Sequence, residues 1–66
     1  MTELIDIGQA IRAERRRHRL TQEQLAELAG TSTRTVRDIE HGTGTTSIAT
    51  VATVADVVGL RLGVSL

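Results

Sequence analysis

The sequence predicts an all-α domain of four to five helices that ends in a short β-strand. Apolar residues recur at helical spacing in four successive segments, and a glycine follows three of them. Hydroxyl residues suited to helix N-caps precede the second, third and fourth segments. The last seven residues instead alternate between apolar and other side chains, which is a strand pattern. A single domain over residues 1–66 is expected.

The length and composition limit how this domain is stabilised. A chain of 66 residues buries only about 60% of the surface that its unfolded form exposes, so it is marginally stable alone. Cysteine is absent, which excludes disulfides and thiolate metal sites. Two histidines are too few for a zinc site, and no cofactor is expected. Association with a second copy remains as a source of stability, so a homodimer is expected.

The amino-terminal segment and the most apolar segment argue against secretion and membrane insertion. The first ten residues contain acidic side chains and no long apolar run, unlike a signal peptide. Residues 51–60 are too few to span a bilayer and include Asp56. A cytoplasmic protein with no membrane partner is the expectation.

The first two helices are predicted from apolar spacing and from a capping motif. Helix one extends to about His18, and its apolar residues lie at helical spacing: Leu4, Ile7 and Ile11. Thr21 opens helix two, because Gln24 three residues later completes a capping box. Gly30 ends helix two in a conformation that glycine adopts cheaply. The predicted apolar face of helix two consists of Leu25, Leu28 and Ala29.

The third and fourth helices follow the same pattern. Thr31 and Ser32 supply the cap of helix three, which is short and ends at Gly42. Its inward residues are Val36 and Ile39. Ser47 is the predicted cap of helix four, and Gly59 ends it. The inward residues of helix four are predicted to be Ile48, Val51, Ala55 and Val58.

The carboxyl-terminal segment, residues 60–66, is predicted to be a dimerisation strand. Four apolar residues alternate with three residues of other types in this segment. The apolar residues are Leu60, Leu62, Val64 and Leu66. A single strand in a helical chain exposes unpaired backbone groups, and the same strand from a second copy is the simplest partner. The alternative is a frayed terminus in which the alternation is accidental.

Arginine is distributed unevenly in a chain whose formal net charge is zero. Five of the eight arginines lie between Arg12 and Arg19, and two more are Arg34 and Arg37. This distribution allows a positive patch for a polyanion on a neutral protein. A solvated helix face explains the arginine run equally well.

Helices two and three, joined by a tight turn, have the form of a helix-turn-helix unit. The stretch "IGQAIRAERRRHRLTQEQLAELAGTSTRTVRDIEHG" resembles the helix-turn-helix domain of Cro and the phage repressors, the xenobiotic-response-element family of bacterial regulators. The resemblance covers about residues 4–62 and implies a lambda-repressor-like fold. This chain departs from the family at Thr31, where valine is usual. It also departs in the loop after Gly42, which lacks basic residues and proline, so a phosphate contact there would need backbone N–H or hydroxyl groups.

The resemblance implies a set of DNA-binding residues and a double-stranded DNA partner. Gln22 matches a glutamine that touches the DNA backbone, although it can also be a simple capping residue. Arg34 is suited to guanine and Arg37 to phosphate; the alternative for both is a solvated helix face. The hydroxyls of Ser32 and Thr35 suit phosphate or sugar. The full set is Gln22, Ser32, Thr33, Arg34, Thr35, Arg37 and Asp38.

The resemblance also implies a structural ion pair and a function. Arg12 and Glu40 are expected to form a partly buried ion pair between helices one and three. The predicted function is that of a dimeric transcriptional repressor that inserts residues 32–41 into the major groove of a palindromic operator. The alternative, suggested by the terminal segment, is a HipB-like antitoxin that binds a toxin kinase and represses its own operon. A structural interaction protein without DNA binding is a third reading, and no catalytic residues or enzyme activity are expected.

Overall fold

The computed structural model describes the backbone of residues 4–60 and the side chains of residues 7–60. Four α-helices follow one another: α1 (Leu4–Arg17), α2 (Gln22–Ala29), α3 (Thr33–His41) and α4 (Ile48–Val57). The four predicted helices are therefore confirmed, and residues 4–60 contain no strand. Among these residues, no helix is both long enough and apolar enough to cross a membrane.

Side-chain caps define where the helices begin. At α2 the Thr21 Oγ1 accepts the Gln24 N–H at 3.0 Å, and the Gln24 Oε1 accepts the Thr21 N–H at 2.8 Å. This reciprocal pair is the predicted capping box, and it satisfies two backbone donors that the helix leaves free. Ser32 caps α3 and Ser47 caps α4 through single hydrogen bonds of the same kind. The glycines after α2 and α3 have φ near +70°, where a side chain would be strained.

The core is built from the facing sides of the four helices. Its largest fully buried side chains are Ile11, Leu25, Val36, Val54 and Val58. They are aliphatic because the chain contains no aromatic residue. The helix-turn-helix pair therefore shares one apolar core with α1 and α4, which holds α3 at a fixed orientation.

Two predicted core residues are exposed, so those two assignments were wrong. Leu28 is 62% exposed and Ile48 is 67% exposed. Successive residues of a helix are about 100° apart around its axis. Leu25 and Ala26 define the buried face of α2, and Leu28 points away from it. Ile48 is the first residue of α4. Val54, which was not among the predicted inward residues, is fully buried.

Gly8 allows α1 to pack directly against the backbone of α3. A Cβ atom at Gly8 would collide with the carbonyl oxygen of Ile39 and lie 3.0 Å from that of Glu40. Because both obstacles are backbone atoms, no side-chain rotation can remove them. Glycine at this position therefore sets the close approach of the two helices.

The predicted terminal strand lies almost wholly outside the described residues. Leu60 is the exception: its N–H donates to the Ala55 carbonyl at 2.9 Å. Its half-buried side chain packs against the core of its own chain. Leu62, Val64 and Leu66 lie outside the described residues, so the dimerisation strand stays a prediction.

Candidate nucleic-acid interface

A buried ion pair joins α1 to the end of α3. The Arg15 Nε donates to the Glu40 Oε2 at 2.6 Å, and the Arg15 Nη2 donates to the Glu40 Oε1 at 3.1 Å. The Glu40 side chain is 1% exposed and the Arg15 side chain is 11% exposed. A third donor, the Arg15 Nη1, reaches the Leu20 carbonyl at 2.8 Å. The guanidinium thus binds one carboxylate with two nitrogens and also fixes the turn before α2.

The predicted pairing of Arg12 with Glu40 was wrong. Arg12 is exposed, and Arg15 is the partner of Glu40. Residues four apart lie on the same face of a helix, so Arg15 lies on the face of α1 that carries the buried Ile11. Arg12 lies about 100° away from Ile11 around the helix axis. The spacing from Ile11 to Arg15 is the signal that would have identified the correct arginine.

Gln22 extends this ion pair to the first residue of α2. Its Nε2 donates to the Glu40 Oε1 at 3.1 Å, a direction that is fixed because a carboxylate only accepts. Glu40 therefore accepts hydrogen bonds from both α1 and α2. The remaining amide N–H and the amide oxygen of Gln22 make no other hydrogen bond among residues 7–60, and the predicted phosphate contact stays a prediction.

Helix α3 has one buried face and one face that is open to solvent. Val36, Ile39 and Glu40 are buried. Arg34 and Arg37 are exposed, and the other predicted groove residues on this helix are half-buried: Thr33, Thr35 and Asp38. The helix therefore presents its basic residues outward while its apolar side fixes it to the core, which is the arrangement that groove insertion requires.

The Ser32 and Thr35 hydroxyls take part in the cap of α3. The Ser32 Oγ accepts the Thr35 N–H at 3.1 Å and lies 2.9 Å from the Thr35 Oγ1. Only one hydroxyl proton is needed between the two oxygens, so the other can donate elsewhere. Their predicted role at phosphate or sugar stays a prediction that is compatible with the cap.

An open, polar groove runs between α3 and the start of α4. Hydroxyl side chains and two charged residues line it: Thr31, Arg34, Thr35, Asp38, Thr45, Thr46, Ser47 and Thr50. The hydroxyls of this loop, which are the candidates for a phosphate contact in place of basic residues, thus lie beside α3. The sequence did not indicate that Thr31 and Thr50 would share this groove, because the two residues are 19 positions apart.

Comparison with known proteins defines the class to which this fold and this surface belong. A family model described as helix-turn-helix matches residues 11–65. The chain belongs to this Cro/C1-type helix-turn-helix family, and it is a DNA-binding transcriptional regulator.

Two particular relatives of known structure share the fold. The restriction-modification controller protein C.AhdI from Aeromonas hydrophila is 29% identical, with 88% of each chain covered and a TM-score of 0.76. The clp gene regulator ClgR from C. glutamicum is 25% identical, with 89% of this chain and 76% of that chain covered and a TM-score of 0.78. A search of curated protein sequences gives no match.

Proposed function

We propose that this chain is a transcriptional repressor that binds a palindromic operator as a homodimer, with α3 of each copy in the major groove. The observation that carries this proposal is the two-sided character of α3. Arg34 and Arg37 face solvent, while Val36, Ile39 and Glu40 fix the helix to α1 and α2. A major groove about 12 Å wide admits one helix presented in this way.

The distribution of charge over the structure supports binding to a polyanion despite a formal net charge of zero. Glu40 is buried and paired with Arg15, so neither residue adds free charge to the surface. The exposed acidic residues include two on α2, Glu23 and Glu27. Among residues 7–60, six arginines are exposed, four on α1 or just after it and two on α3: Arg12, Arg16, Arg17, Arg19, Arg34 and Arg37.

The amino-terminal end of α2 is the proposed phosphate contact. Gln22 is the first residue of α2, where free N–H groups and the helix dipole favour an anion. Its hydrogen bond to Glu40 holds the amide beside α3. A phosphate bound at Gln22 would therefore fix the depth at which α3 enters the groove.

The dimer is proposed from the requirements of the operator and from the carboxyl-terminal sequence. Residues 1–66 form a single DNA-binding domain in this proposal, and each copy supplies one recognition helix. Two copies related by a two-fold axis would read half-sites about 34 Å apart, one turn of DNA. Doubling the phosphate contacts also strengthens a salt-dependent interaction. Residues 60–66 are the proposed dimerisation strand.

Binding to DNA from upstream of the chain's own gene tests the proposal. Each phosphate contact should contribute about −0.9 to the slope of log K against log salt. Arg34→Ala is expected to weaken specific binding by about 1–3 kcal/mol and to relax preference at one base pair. Arg37→Ala is the matched control, since loss of a phosphate contact should weaken binding to all sequences alike. Binding that is absent, or that ignores salt, would contradict the proposal.

The second candidate function is that of an antitoxin, and the alternating sequence of residues 60–66 favours it. HipB-like antitoxins, which this segment resembles, pair terminal strands and also hold a toxin kinase. Deleting residues 60–66 should then yield monomers in sedimentation, and the full chain should bind the product of an adjacent kinase-like gene. A truncated chain that still sediments as a dimer would exclude the strand interface.

A further inference from the structure

Asp38 is a carboxylate on the surface that is proposed to meet DNA. It lies one helical turn after Arg34, and both residues line the open groove beside α3. A carboxylate accepts hydrogen bonds but donates none, and phosphate oxygens are also acceptors. Asp38 therefore repels the DNA backbone, and its place on this surface needs a different explanation from that of the arginines.

The loop after α3 holds the Asp38 side chain. The Thr43 Oγ1 donates to the Asp38 Oδ1 at 3.4 Å, and the Thr43 N–H donates to the Asp38 carbonyl at 2.9 Å. Gly44 lies so close that a Cβ atom there would be 3.0 Å from the Asp38 Oδ2. The loop thus contacts both sides of the carboxylate, a hydrogen bond at Oδ1 and the Gly44 backbone beside Oδ2, and so restricts its orientation.

Asp38 and Arg34 do not neutralise one another, although residues four apart on a helix can pair. Among residues 7–60 the side-chain ion pairs join Arg15 to Glu40 and Arg17 to Glu14. The groove face of α3 therefore carries a donor-only group at residue 34 and an acceptor-only group at residue 38. The two residues are about 6 Å apart along the helix axis, which corresponds to roughly two base steps of 3.4 Å.

Few bases can donate a hydrogen bond to the Asp38 carboxylate in the major groove. Guanine presents the acceptors N7 and O6, and thymine presents O4 and a methyl group, so both disfavour a carboxylate. Adenine presents the donor N6 beside the acceptor N7, whereas cytosine itself presents only the donor N4. We infer that Asp38 selects a cytosine within about two base pairs of the guanine bound by Arg34. This inference rests on the proposed function.

Selection from a randomised half-site library, followed by sequencing of the bound DNA, tests this assignment. The full-length wild type should enrich cytosine at one position of each half-site. Asp38→Asn should change the preference at that position to adenine, because an amide pairs with adenine N6 and N7. The affinity for adenine relative to cytosine should rise by roughly 5- to 150-fold. Asp56→Asn is the matched control: it removes the same charge from an exposed site on α4 and should leave the consensus unchanged.

The folded state of the variants is measured in parallel. In the D38N variant the amide oxygen of the substituted side chain can still accept from Thr43, so the melting temperature should match that of wild type. Thr43→Val removes only the hydroxyl that holds Asp38, and it should broaden the cytosine preference without abolishing it.

The possible failures are distinguishable. D38N with the wild-type consensus overturns the assignment of Asp38 and leaves the proposed function standing. D38N that binds every sequence more tightly by the same factor also overturns it, because Asp38 would then act through charge alone. A folded wild type that selects no sequence overturns the proposed function and, with it, the assignment.

Discussion

Glu40→Ala would remove the carboxylate that connects three helices. In the wild type this carboxylate accepts two hydrogen bonds from Arg15 and one from Gln22. Its side chain is 1% exposed, so the substitution removes a negative charge from inside the protein. Within residues 7–60, the variant leaves the largely buried Arg15 guanidinium with the Leu20 carbonyl as its remaining acceptor.

The expected loss is large relative to the stability of so small a domain. Removing one partner of a buried ion pair costs about 3–5 kcal/mol, because the other charge is left buried and unpaired. Total unfolding free energies of about 0.05–0.15 kcal/mol per residue imply about 3–10 kcal/mol for 66 residues. Glu40→Ala should therefore leave a substantial unfolded population in water. Glu40→Gln should cost less, since it keeps the shape and one acceptor oxygen.

Urea denaturation followed by far-UV circular dichroism measures this effect. Arg15→Ala should lose a similar amount, and the double variant should lose less than the sum of the two, by about 0.5–3 kcal/mol of coupling. Arg12→Ala is the matched control, because Arg12 is exposed on the same helix and should change stability by no more than about 0.5 kcal/mol. A Glu40→Ala variant with the wild-type midpoint, or an Arg12→Ala variant as unstable as Arg15→Ala, would contradict a stabilising role for this ion pair.

Two further predictions concern packing and use the same denaturation measurement. Gly8→Ala should destabilise the domain by about 1–3 kcal/mol, because the added Cβ meets backbone oxygens of α3, despite a gain in helix propensity of about 1 kcal/mol. Gln9→Ala, at an exposed position, is its control. A stabilised Gly8→Ala variant would contradict the close approach of α1 and α3. Leu28→Ser should change stability by less than about 0.5 kcal/mol, since Leu28 is 62% exposed. Leu25→Ala should instead cost about 2–5 kcal/mol. Equal losses at the two leucines would contradict the assignment of the buried face of α2.

Local signals in the sequence were sufficient to predict the helices. The capping box of Thr21 and Gln24 and the glycine at residue 30 act within a few residues of one another, so their effect does not depend on the rest of the fold. The family resemblance then supplied the arrangement of α2 and α3. Helix boundaries and topology were consequently predictable before the tertiary contacts were known.

The direction in which individual side chains point was less predictable. Four arginines lie within positions 12–17, and the family resemblance indicated Arg12, although Arg15 is the one that continues the helical spacing of the buried Ile11. The contact at Gly8 sets the rotation and depth of α1 against α3, and that rotation places Arg15 beside Glu40. Similarly, α2 has only eight residues, four of them apolar, so the sequence pattern does not define its buried face until α1, α3 and α4 are in place.

The ion pair at Glu40 has a structural consequence that an apolar contact would not provide. Replacing a buried ion pair by well-packed hydrophobic residues is often neutral or stabilising, so stability alone does not account for it. Hydrogen bonds are directional, and Glu40 accepts them from Arg15 on α1 and from Gln22 at the start of α2. Glu40 also lies on α3, whose solvent-exposed side chains include Arg34 and Arg37. The orientation of the proposed phosphate contact relative to the proposed base-reading face is thereby fixed within one buried network.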